Sequence, residues 1–226
     1  VGIIVTTGGG PSKKSSPFTY IVPPIITSIS PSYGGTTGGN VVTITGLNFK
    51  GATSVTFGGI PATNLFVFNP TTITCKTPAG VVAEAVGVIV TTRDGPSNTF
   101  SSFTYITPPS ITDISPSSGS TLGGTNVTIT GTNFTGATLV TFGGLAATSL
   151  SIVNSTTITC ITPARTTAGA VGIIVTTGGG PSGAFSSFTY ITPPVVTSIS
   201  PLTGSTAGGT SVTITGTSFT GATSVT

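Results

Sequence analysis

Cys75 and Cys160 are the only thiols in the chain, and they stand 85 residues apart. A thiol can act as a nucleophile, a metal ligand or half of a disulfide, but each role needs a partner. Nucleophilic catalysis by Ser or Cys needs a general base, and the sequence contains no histidine. Glu84, Asp94 and Asp113 are the only carboxylates, and none recurs at the 85-residue spacing. A paired-acid site or a carboxylate-rich calcium site therefore lacks material. Two cysteines without histidine do not form a zinc site. The expectation is no enzyme, no cofactor and no metal. For the cysteines, a bond within one repeat is excluded because each repeat has one, and inward positions in adjacent domains exceed the ~7 Å Cα separation a disulfide tolerates. Each Cys shares strand parity with an apolar neighbour, Ile73 or Ile158, so both read as buried free thiols. A bond between chains of a fibre is the alternative.

Other motifs yield to simpler readings. The glycine runs at residues 6–12 and 176–182 lack the Lys-Ser/Thr and the helix of a phosphate loop. The middle copy reads "TTRDGPS", which suits a tight hairpin turn. An ester cross-link between Thr and Gln has no Gln, and an isopeptide needs a repeated Lys, whereas Lys50 becomes Thr135 and Thr220. Asn126-Val-Thr, Asn133-Phe-Thr and Asn154-Ser-Thr fit the N-linked acceptor pattern. The matching places in the first repeat are Val41, Asn48 followed by Phe-Lys, and Asn69-Pro. O-linked sugar on outward Thr rows is an equal alternative.

The elements that would position these residues recur with the same period. Val1, Val86 and Val171 open a "VG(I/V)IVTT" run, Tyr20, Tyr105 and Tyr190 close an "FTY", and Pro24, Pro109 and Pro194 complete a double proline. Residues 171–226 match residues 86–141 at 42 of 56 positions without a gap. This period describes tandem copies of one small domain. Within residues 108–192, Val127 and Ile129 alternate with Thr128 and Thr130, Val140 with Phe142, and Ile158 with Cys160, the period of half-buried strands. A strand around Ile111 to Ile114, a turn at Pro116 to Gly119, a longer "AVGIIVTT" strand and a last strand carrying Phe188 and Tyr190 complete the unit. Six or seven short strands of this kind predict an all-β antiparallel sandwich. Double prolines cannot join a sheet interior, so they bound the domains. Residues 1–22 and 193–226 are read as parts of further repeats, and 23–107 and 108–192 as whole ones. The truncated ends suggest a window on a longer array, and the short proline steps suggest a semi-rigid rod, beads in series.

The ordered motifs "PxITSISPxxGxxxGGxxVTITGxNFxGATxVTFGG", "NxTTITCxTPA" and "VxIxVTTxxGxSxxFTY" resemble the immunoglobulin-like IPT/TIG domain along every repeat. The resemblance implies a fold more firmly than a function. Runs of near-identical copies are most similar to bacterial or archaeal surface proteins, where such domains serve as stalks.

Composition narrows the function. Charged residues make up 4 % of the chain, against about 25 % in ordinary soluble domains. The six cations are scattered, so the net charge of +3 is no nucleic-acid footprint. No run of 18 apolar residues offers a membrane span. So little charge leaves surfaces prone to associate, unless sugar, copies of the chain or hydroxyl-bound water cover them. The leading expectation is a segment of a long extracellular or cell-surface filament or stalk that assembles with copies of itself. An adhesin stalk binding carbohydrate or protein, with few exposed aromatics to do so, and an inert spacer beside another domain are the alternatives.

Overall fold

The computed structural model describes residues 2–13, 16–17, 21–80 and 82–226. The "FTY" of the first copy, at residues 18–20, lies outside them, as does Lys14. The chain divides into two compact units, Val1–Thr107 and Pro108–Thr226, each holding one whole repeat.

In the first unit, Ile25–Ser30, Val41–Leu47, Thr72–Lys76 and Thr63–Asn69 form an antiparallel sheet in that spatial order. Val42 and Ile44 pair with Cys75 and Ile73, so alternate apolar residues meet on the inward face. The second sheet runs Tyr33–Gly35, Phe100–Ile106, Ala85–Thr92, Ser54–Phe57 and Ile60–Pro61, with Gly95–Pro96 folded back on the long strand. Period-two alternation turns Val55, Phe57, Val88, Val90, Phe103 and Tyr105 inward from this sheet. The core is the layer between the two sheets, and among the described residues its buried members come from the one repeat. Burying each large apolar side chain contributes about 1.5–3 kcal/mol.

The second unit repeats this arrangement strand for strand. Ser110–Ser115, Asn126–Thr132, Thr157–Ile161 and Thr148–Asn154 form one sheet, and Ser118–Ser120, Phe185–Ile191, Gly169–Thr177, Leu139–Phe142 and Leu145–Ala146 the other. Its core likewise draws only on residues 111–190. Around the whole repeats, Gly2–Ile3 pairs with Ser16–Pro17, Thr6–Thr7 with Gly10–Pro11, and Val195–Ser200 with Thr213–Thr217.

Three features depart from the sequence reading. The stretch expected to be a turn at Pro116 to Gly119 turns only at its start, because Ser118–Ser120 already forms a strand. That strand pairs in parallel with Phe185–Ile191, as Tyr33–Gly35 does with Phe100–Ile106, so the sandwich is not wholly antiparallel. Thr63–Asn69 and Thr148–Asn154 are additional edge strands. Each carries two register shifts and a left-handed residue, Asn64 (φ 52°) or Ser149 (φ 51°), irregularities that in Thr148–Asn154 also break the alternation that marks a strand.

Candidate functional site

The two thiols sit inside their domains. Cys75 is 2 % exposed and Cys160 3 %, each facing the opposite sheet from the strand next to an edge. Desolvation pushes their thiol pKa up from the ordinary 9.0, to about 12 for Cys75 and about 11 for Cys160. Both are free. Such thiols are poor nucleophiles, since the thiolate is the reactive form. Folded protein at neutral pH should leave both unmodified by a disulfide-exchange reagent, and about two should titrate once denaturant unfolds the chain. Fast labelling without denaturant would contradict this burial. The sign of the pH effect follows. Below about pH 9 both folded and unfolded chains hold these protons, so stability is full. As pH rises towards 12 the unfolded thiols ionise first, and stability falls. Equilibrium unfolding between pH 8 and pH 11 measures the loss.

Among the described residues no three His, Cys, Asp or Glu side chains gather into a metal-sized group. Every fully buried side-chain nitrogen or oxygen there has a hydrogen-bond partner. The tyrosine of each last strand also has its hydroxyl bonded. The Tyr105 hydroxyl donates to the Pro78 carbonyl at 2.8 Å, and Tyr190 to Pro163 at the same distance. Burial drives the Tyr105 hydroxyl up to about 12, with Cys75 adding to the effect. Burial also raises Tyr190, but there Arg165 pulls the other way. The Arg165 guanidinium carbon lies 5.7 Å from the centre of the Tyr190 ring, where the first repeat has Gly80. A hollow of about 100 Å3 lined by Phe57, Val82, Glu84 and Tyr105 marks that place in the first repeat.

The three sequon asparagines have different settings. Asn126 is exposed at the first position of its strand. Asn133 is held left-handed (φ 59°), and its Nδ2 donates to the Pro108 carbonyl at 3.2 Å, tying the domain entry to the turn after Asn126–Thr132. Asn48 does the same with Pro23. Asn133→Ala should therefore cost about 1–2 kcal/mol through the backbone strain and the lost bond, and Asn133→Gly less. Urea unfolding of the two variants checks the order. Asn154 Oδ1 accepts from both the backbone N–H and the hydroxyl of Thr156 at 2.8 Å, a side-chain-capped turn that leaves the asparagine exposed.

The outward face of the four-stranded sheet is the most regular surface. Strand register places Ser30, Thr43, Thr74 and Phe66 in one cross-strand row, and Ser28, Thr45, Thr72 and Asn69 in the next. The second repeat shows Ser115, Thr128, Thr159 and Ser151, then Asp113, Thr130, Thr157 and Asn154. Ser200–Thr213 and Ser198–Thr215 continue the pattern in the last segment. Phe66 and Phe68 were not singled out from the sequence, yet they are 60 % and 71 % exposed on the edge strand. The signal that could have found them is their i, i+2 spacing, with Leu65 and Val67 taking the inward positions.

No helix among the described residues is long and apolar enough to cross a membrane. Fibrocystin-L of Mus musculus is 32 % identical over 213 residues, covering 89 % of this chain and 5 % of that protein. The solved full extracellular region of Plexin A4, domains 1 to 10, is 26 % identical over 79 % of this chain and 16 % of its own, with a TM-score of 0.51. SGBP-B from a complex xyloglucan utilization locus in Bacteroides uniformis is 23 % identical over 74 % of this chain and 49 % of its own, with a TM-score of 0.34. The chain thus spans a small fraction of Fibrocystin-L and of the Plexin A4 region. A family profile described as the IPT/TIG domain matches residues 24–105, 109–190 and 194–226. With these matches over strands, cores and linkers that repeat in step, the chain belongs to the IPT/TIG domain family, as a tandem array of immunoglobulin-like domains.

Proposed function

We propose that this chain is a segment of a long extracellular filament or stalk, in which tandem domains provide mechanical reach and self-assembly. The observation that carries the reading is the pair of Ser/Thr rows returning at the same register on each repeat. A hydroxyl-rich sheet repeated along one chain, with a single carboxylate at Asp113 in the rows described, offers copies of itself much the same surface many times over, with little charge repulsion to keep them apart. The likeness to the extracellular region of Plexin A4 supports a location outside the cell. In this reading the segment performs no chemistry, holds no cofactor or metal and binds no nucleic acid, and glycan on Asn126, Asn133 or Asn154 or on outward Thr is its modification. Electron microscopy and sedimentation of the purified chain test it. Fibres or concentration-dependent oligomers are expected. Monodisperse monomer at high concentration, free of glycan, overturns the assembly part.

One observation favours a second reading, an adhesin stalk that binds carbohydrate. Phe66 and Phe68 present aromatic faces beside Thr74 and Asn69, a pairing of ring and polar groups suited to the mixed surface of a sugar. The second repeat has Ser151 and Val153 there, so one site per array of this length would result. Glycan-array binding lost in Phe66→Ala/Phe68→Ala would support it, and an array without signal for the unaltered chain would dismiss it.

A further inference from the structure

The parallel strand pair in each repeat joins a segment near its start to its last strand. Tyr33–Gly35 follows the first strand of its repeat almost directly, and Phe100–Ile106 is the last strand before the linker. The register is Tyr33 to Thr104, Gly34 to Tyr105 and Gly35 to Ile106. Backbone bonds close the ladder at both ends, from Thr104 N–H to the Ser32 carbonyl at 2.9 Å and from Thr36 N–H to the Ile106 carbonyl at 3.1 Å. The second repeat reproduces them from Thr189 to Ser117 and from Thr121 to Ile191, both at 2.9 Å.

We propose that this parallel ladder is a shear clamp that bears tension along the array; the proposal rests on the filament or stalk reading above and deepens it. Pulling the two ends of a repeat apart drags the early strand towards its N-terminus and the last strand towards its C-terminus. Because the strands are parallel, those forces oppose each other along one axis, and every bond of the ladder is strained at once. A pair pulled apart sideways from one end would instead lose its bonds one at a time.

The side chains resist sliding in the same direction. A one-residue slip of the last strand would turn its buried ring side chains to the outer face. In the first repeat these are Phe103 and Tyr105, edge-to-face at 5.2 Å, with the tyrosine hydroxyl bonded to Pro78. In the second they are Phe188 and Tyr190 at 5.1 Å, with the hydroxyl bonded to Pro163. Slipping therefore requires extracting two rings and breaking a part-buried hydrogen bond as well as the ladder.

The test compares two pulling directions on the same folded chain in an optical trap. Tethered at its ends, the chain should show two ruptures, each releasing about 85 residues, on the order of 300 Å of extended chain. In a Ser120→Cys/Ile191→Cys variant, handles attach to two residues that face each other at one end of the second ladder. The native thiols are buried and do not compete for the handles. Pulling there should open the second repeat at several-fold lower force. Thr189→Pro, which lacks the donor to Ser117, should lower one of the two end-to-end rupture forces and leave the other in place. If that variant fails to fold, the comparison of directions still decides. Equal rupture forces in the two directions would overturn the clamp. A chain with direction-dependent strength but no fibres by microscopy would keep the clamp and remove the assembly part of the filament reading.

Discussion

Replacing Phe188 with alanine should remove about 3–5 kcal/mol from the stability of the second repeat while leaving the first unchanged. The ring is fully buried and stands edge-to-face with Phe142 at 5.2 Å and Tyr190 at 5.1 Å, so truncation loses both apolar burial and two ring contacts. Ile129, Ile158 and Ile173 are buried in the same cluster on strands fixed by hydrogen-bonded ladders, which limits how far the space can collapse. A domain of this size has roughly 5–15 kcal/mol in total, so the loss is a large share of it. Calorimetry should resolve one displaced transition and one at its original temperature. The reason for the selectivity is that, among the described residues, neither buried core contains a residue of the other repeat. Equal displacement of both transitions, or a loss below about 1 kcal/mol, would contradict this account of the core.

Gly131→Ala should be nearly as severe, at about 3 kcal/mol, although it adds a single methyl group. A Cβ at this position would collide with the Ser110 backbone carbonyl and come within 2.6 Å of the Phe134 ring. Neither neighbour can yield easily. Ser110 pairs with Thr132 at the start of the sheet, and Phe134 is wholly buried. Gly46 and Gly216 meet the same pair of obstacles, the carbonyls of Ile25 and Val195 and the rings of Phe49 and Phe219. The small residue is therefore what lets the first strand of each repeat pair closely with its neighbour in the sheet. Gly172→Ala is the matched control. It also lies within a strand, but its added methyl would meet only the Ala184 Cβ at 3.5 Å, an ordinary contact, and stability should change by less than about 1 kcal/mol. Urea unfolding of both variants settles the comparison. Similar losses would mean that strand glycine itself, and not the close approach of Ser110 and Phe134, sets the cost.

Much of the fold was legible because the central strands alternate without interruption. Val127, Ile129, Ile158 and Cys160 occupy strands paired on both sides, so period-two burial was enough to place them inward. The edge strand Thr148–Asn154 was not legible. Its bulges shift the alternation partway, and Ile152 and Val153 are both exposed in sequence. The parallel strand Ser118–Ser120 was read as turn for a different reason: Ser-Gly-Ser has no side-chain pattern, and its partner lies 71 residues away in sequence. The sequons could be found as motifs, but that Asn133 has its amide nitrogen engaged while Asn154 caps a turn through its oxygen depends on the folded loops. Exposed aromatics were undercounted because Phe66 and Phe68 look like core residues until the strand's position at the sheet edge is known.

The self-contained cores also bear on heredity. A gene encoding units of equal length and close sequence invites unequal crossing-over, and an exchange between copies in phase inserts or deletes a multiple of 85 residues. Because each core is completed by its own repeat, such an event leaves every remaining domain with its full set of packing partners. Length can then drift between related lineages by whole domains, with no stability penalty inside any of them. Reach becomes a quantity that recombination can adjust in discrete steps.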